Sequence, residues 1–207
     1  MIYLDIETLD FFQDAHIKSL PRDQQLAAMR FGCAVTYRAD LGTWQEWHTE
    51  HVVNLYDLLP WCDLPVVGWN IIDFDWPVIL HNAERAGATI NHTGVTIIDL
   101  FDLIRQATGR WYSLEAIAQH NLGRGKLADG QRAAEWLRSG DPAQVAKAME
   151  YCRHDVQLTI DLHQMLLRGE PLRLPPRAKR EEINEVLWWL SGKTEWLPDA
   201  VGAVSTR

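Results

Sequence analysis

Positive charge is scarce in this sequence: 20 lysines and arginines stand against 28 acids, for a formal net charge of −8. That balance argues against any function resting on extensive phosphate neutralisation, which needs a basic footprint. Cysteine is scarce too. Cys33, Cys62 and Cys152 form an odd, scattered trio with no C-x-x-C pair, which excludes a disulfide framework and points to a reducing compartment. No run approaches the roughly 20 apolar residues of a membrane span. The chain opens on the strand-like Ile2-Tyr3-Leu4, without a basic region or a long apolar stretch, so export is not expected. Internal repeats and low-complexity tracts are also missing. The expectation is a soluble, cytoplasmic protein with no membrane partner.

What is present suits one α/β domain with a tail, given 207 residues of which 47% are hydrophobic. Most of the ten tryptophans are expected in the core or between helices. The basic residues are not evenly spread. Arg105 and Arg110, then Arg124, Lys126 and Arg132, form a local group able to touch a few phosphates on an otherwise acidic molecule.

Hydrophobic periodicity predicts five strands. Residues 2–8 alternate, Phe31–Tyr37 pairs with Thr43–His48 across the turn Ala39-Asp40-Leu41-Gly42, and Leu64–Trp69 and Val95–Ile98 are short buried runs. Residues 10–29 read as a loop with a short helix. A helix is expected from about Phe74 to Ala86, closed by Gly87, with Pro77 in its first turn and Asp75 near its N-terminus. Most of the chain from 99 to Gly169 is helical by pattern. Asp141-Pro142-Ala143-Gln144 starts the last long helix with an acidic cap, and Val145, Met149, Cys152, Val156 and Ile160 mark its apolar stripe. Tyr151 and Asp155, four apart, share a neighbouring face. The boundary falls at 1–169 for the domain and 170–207 for a Pro-rich, partly helical C-terminal extension that carries Trp188 and Trp189.

Three short motifs carry the chemistry: Asp5-Ile6-Glu7-Thr8, Asn70 through Phe74-Asp75, and Tyr151 through Asp155. Asp5 and Glu7 lie on one face of a strand, because side chains alternate. Each motif alone has a bland reading: solvated acids, a helix cap, or a tyrosine packed on its helix. Their occurrence together, in this order, favours catalysis. Four carboxylates brought within a few ångströms either take up protons or take up cations. An all-oxygen donor set favours Mg²⁺ or Mn²⁺, and two such ions are the usual apparatus for phosphodiester hydrolysis. Asp5 and Asp155 are expected at exposed ends of their elements.

The runs LDIET at 4–8, GWNIIDFD at 68–75 and YCRHD at 151–155 resemble the three exonuclease motifs of the DEDD superfamily. The likeness is strongest to the exonuclease domain of family B DNA polymerases and its stand-alone or helicase-linked relatives, and covers roughly residues 1–168. It implies a ribonuclease-H-like fold, a mixed five-stranded sheet flanked by helices. The implied activity is a 3′–5′ exonuclease that releases nucleoside 5′-monophosphates from nucleic acid 3′ ends, single-stranded DNA being favoured over RNA. It further implies two ions per site, Mg²⁺ or Mn²⁺, held by Asp5, Glu7, Asp75 and Asp155, with Asp5 bridging them. Position 151 is Tyr and position 150 is Glu, so the chain resembles the tyrosine subgroup (DEDDy), in which Tyr151 would orient the attacking water. His154 is out of register for that role and is expected at the surface.

Substrate contact is expected from Thr8, the backbone at Ile6, Asn70, Arg124 and Lys126. Asn70 is read mainly as a tether for the chain before Asp75, and Gly123–Lys126 mainly as a flexible loop between helices. His48 and His51 lack partners for a metal site. The competing reading is a catalytically idle nucleic-acid-binding or protein-docking module on the same fold. Retention of all four acids and the tyrosine favours the enzyme.

Overall fold

The run Ile2–Thr8 forms the central strand, β1, of a mixed sheet in the computed structural model, which describes residues 1–61, 63–90, 95–125, 127 and 130–175. The segment Phe31–Arg38 (β2) lies antiparallel to β1 and Thr43–His48 (β3) antiparallel to β2, joined by the expected turn. Two strands of three residues, Val66–Gly68 (β4) and Ile97–Asp99 (β5), run parallel to β1, giving the order β3-β2-β1-β4-β5. Both short strands are wholly buried and show no alternation; β4 is apolar throughout, and β5 is apolar until the buried Asp99 that ends it.

Alternation along β1 divides it between two cores. Ile2, Leu4 and Ile6 pack with Phe31, Ala34 and Val66 on one face, against α3 (Val52–Trp61) and α4 (Trp76–Arg85). Two short helices, α1 (Ala15–Lys18) and α2 (Arg22–Ala28), lie between β1 and β2 in the chain. Tyr3 faces the other core with Cys33, Val35 and Val67. That second core is closed by α5 (Leu100–Thr108), α6 (Leu114–Leu122), α7 (Gly130–Arg138) and α8 (Pro142–Leu167). By the same alternation Asp5 and Glu7 belong to the α8 side.

The start of α8 follows its sequence signal. Asp141 Oδ1 accepts the backbone N–H groups of Ala143 at 2.8 Å and Gln144 at 3.0 Å, with Pro142 opening the first turn. After α8 ends at Leu167, the chain stays against the α8-side core for several residues. Leu172 and Leu174 are buried in the α8-side core, and Arg173 exchanges backbone bonds of 2.7 and 2.8 Å with the Asn121 side chain. Trp188 and Trp189, Lys126 and Cys62 lie outside the described residues. Among the described residues no helix is long and apolar enough to cross a membrane.

Candidate active site

Three carboxylates meet where β1 passes under α8. Asp5, Glu7 and Asp155 each offer an oxygen, and these atoms all lie within 4.8 Å of one another. The crossing is fixed beside them by the Cys152 thiol, which donates to the Asp5 carbonyl oxygen at 3.2 Å. Gly32 opposite is required by close approach, since a Cβ there would sit 2.9 Å from the Glu7 carbonyl oxygen. Asp155 differs from expectation. It lies mid-helix and is fully buried, while Glu7 is 8% exposed and Asp5 only partly exposed. The helix is covered on this face by the sheet itself, so a polar position that reads as solvent-facing is enclosed.

Asp75 arrives from the other side by an irregular path. Gly68 ends β4 with little room for a side chain, the Leu4 carbonyl oxygen lying 3.0 Å from where a Cβ would be. Asn70 then turns the chain through the left-handed region, with φ 62°, and Ile71–Asp75 forms a π-helical turn that runs into α4. Helical backbone therefore begins before Phe74, and Asp75 is already inside it. Asp75 Oδ1 accepts the Ile6 backbone N–H at 3.1 Å, which anchors this acid to β1 between Asp5 and Glu7. Burial raises the Asp75 pKa well above the usual carboxylate range, and the charges of Asp5 and Asp99 push it further.

Asp99 plays a part that the sequence reading missed. Its carboxylate closes β5, caps α5 through Phe101 and Asp102, and accepts the backbone N–H groups of Asn70 at 2.8 Å and Ile72 at 3.0 Å. Asn70 thus tethers the turn through its backbone. Burial raises the Asp99 pKa against the pull of those four donors. The overlooked signal was local: an acid between a buried apolar run and an amphipathic segment is an N-cap candidate.

Tyr151 is 1% exposed, one turn before Asp155 on the same face of α8. His154 lies at the surface but is not free of the fold. It is partly buried, and its Nε2 lies 2.8 Å from the Gly125 carbonyl oxygen. Arg124 pairs with Asp161, also on α8, so the 123–125 loop is pinned at two points and is no loose connector. The Thr8 hydroxyl donates to the Asp10 carbonyl oxygen at 2.6 Å, and the Ile6 amide is engaged by Asp75. The basic group is partly neutralised within the molecule: Arg105 pairs with Asp102 and Asp73 as Arg124 does with Asp161. His48 and His51 serve a turn, His51 Nδ1 accepting the His48 backbone N–H at 3.1 Å.

A family model described as RNase_H superfamily matches residues 2–167. The chain belongs to the RNase H superfamily. No curated protein sequence matches it. The match spans every strand and helix described above, from β1 through the last residue of α8. An RNase H-like fold is a nuclease-type fold, whose substrate is nucleic acid and whose members use divalent metals. The donor set here fits such an ion: three clustered carboxylates with no sulfur or imidazole among them select a hard cation.

Proposed function

We propose that this RNase H-like chain is a 3′–5′ exonuclease of the tyrosine subgroup, cutting nucleotides one at a time from single-stranded 3′ ends. The observation that carries this reading is the meeting of Asp5, Glu7 and Asp155 oxygens within 4.8 Å, with Tyr151 one turn from Asp155 and Asp75 bonded to the backbone between the two β1 acids. Asp5, Glu7 and Asp155 would hold one Mg²⁺ or Mn²⁺, and Asp75 would support a second. Such ions, when bound, supply Lewis acidity to the attacking water and the leaving 3′-oxygen. Tyr151 would orient the attacking water in line with the scissile bond, a positioning function that suits a buried side chain one turn from Asp155 on the same helix. The raised proton affinity of Asp75 supports the same assignment, because a cation relieves the crowding of charge that raises it.

The test uses single-stranded DNA and RNA labelled at either end, with Mg²⁺ or Mn²⁺. A 3′-label released at once as mononucleotide, and a 5′-labelled ladder shortening from the 3′ end, are the expected products. Nicking of a circular single strand would refute exonuclease action. Binding without any cleavage would leave the idle module as the correct reading.

A further inference from the structure

An aromatic side chain stands exposed beside the turn that presents Asp75. Trp111, just beyond α5, is 62% exposed, yet it is held from two sides. Its ring meets the ring of Phe101 edge-on, with centroids 5.5 Å apart at 69°, and the Arg105 guanidinium lies over it at 5.3 Å from the centroid. Phe101 in turn contacts Trp69 at 6.3 Å. The anchors belong to the site's own scaffold: Phe101 donates its amide to Asp99, and Arg105 reaches to 3.8 Å from Asp73, two residues before Asp75.

We infer that Trp111 is a stacking platform for a base of the single-stranded substrate, an inference that rests on the exonuclease reading above. A ring already fixed by Phe101 and Arg105 loses little freedom on binding, so its exposed surface is preorganised for a flat partner. The charge of Arg105 is balanced by Asp102 and Asp73, so this corner offers aromatic surface more than phosphate attraction. That matches a chain of net charge −8, in which phosphate neutralisation is a poor source of affinity. Stacking on an aromatic ring is indifferent to sequence, as an exonuclease requires.

The experiment measures binding of a fluorescein-labelled thymidine decamer by anisotropy, with Ca²⁺ in place of Mg²⁺ so that binding is read apart from turnover. Trp111→Ala is expected to weaken binding by roughly 5- to 150-fold, the range for loss of one stacked base. Trp111→Phe should recover most of it, and the salt dependence should stay as in wild type because stacking releases no counterions. Trp111→Leu separates stacking from packing, since it covers Phe101 without an aromatic face. Weak binding by a Leu variant that melts normally supports the platform; wild-type binding by the Leu or Ala variant overturns it while leaving the nuclease reading intact. Failure of the wild-type protein itself to bind the decamer would overturn both.

Discussion

Asp99 Oδ1 accepts the backbone N–H of Asn70 at 2.8 Å, and through that bond the end of β5 sets the position of the turn that delivers Asp75. Asp99→Ala would remove the acceptor of the buried Phe101 amide and of the partly buried amides of Asn70, Ile72 and Asp102. The expected cost is about 2–4 kcal/mol, read from urea denaturation. Asp99→Asn keeps the three bonds at Oδ1 but can turn a donor toward the Ile72 N–H, so its cost should be smaller. Turnover should fall in both by about tenfold or more, at least 1.4 kcal/mol of barrier, as Asp75 loses its support. Full activity in Asp99→Ala would show that the turn holds without its tether.

Asp75→Asn tests the crowding of charge directly. The amide oxygen can still accept from Ile6, while the charge that burial and Asp5 oppose is gone. In chelator the variant should melt above wild type, each 1 kcal/mol relieved reading as about 2–4 °C in a domain of this size. Added Mn²⁺ should stabilise the wild type by about 2.7 kcal/mol at a hundredfold excess over Kd, and the variant by less. A lower melting point in chelator would mean that Asp75 is not repelled in the metal-free protein.

Asp155 is enclosed mid-helix, so its replacement must conserve shape. Asp155→Asn should retain helicity by circular dichroism yet lose more than nine-tenths of turnover, since a tenfold loss is only about 1.4 kcal/mol of barrier. The same outcome is expected for Asp5→Asn. Either variant running above that level would remove its residue from the metal ligands.

The strands and the ends of α8 were legible because their causes are local. Alternation in residues 2–8 sorts side chains between two cores, and Asp141-Pro142 announces a helix start by itself. The acids of β1 and α8 were legible as candidates, their meeting within 4.8 Å only as an expectation from motif order. What escaped depends on partners distant in sequence. The tether from Asp99 spans 29 residues, as does the contact of His154 with Gly125, and neither leaves a mark in the periodicity of either segment. The burial of Asp155 escaped for a related reason: a helical wheel shows which residues share a face, but the sheet beneath decides which faces are covered. The acids that pair with part of the basic group, Asp73 and Asp102 with Arg105 and Asp161 with Arg124, are likewise brought to it by the fold and not by the spacing of the arginines.

Tyr151→Phe separates a working hydroxyl from a packed ring. Phenylalanine preserves the buried ring, so the fold should be unaffected. A water-orienting hydroxyl should cost up to the 10²–10⁴-fold of a positioned proton-handling group in kcat, with metal affinity nearly unchanged. His154→Ala should instead loosen the loop at Gly125 and leave kcat close to wild type. A silent Tyr151→Phe beside an inactive His154→Ala would reverse the two assignments.

Acid stability should depend on His163 as well as on the carboxylates. His163 is buried between α8 and β1, where the Tyr3 hydroxyl meets its Nδ1 at 2.9 Å and Gln164 lies 3.5 Å from the same hydroxyl. Burial, aided by the N-terminal ammonium, lowers its pKa from 6.5 to about 4. The folded protein therefore prefers the neutral ring, and between those two values the unfolded chain binds more protons. The stability it contributes is complete above pH 6.5 and is lost as pH falls toward about 4, a loss on the order of 3 kcal/mol. His163→Gln removes the titrating group, so its urea midpoint should fall less steeply than that of the wild type across this window. Carboxylates titrate in both proteins, and the difference between the two slopes isolates the histidine. Parallel slopes would mean that His163 is protonated in the folded state as readily as in the unfolded one.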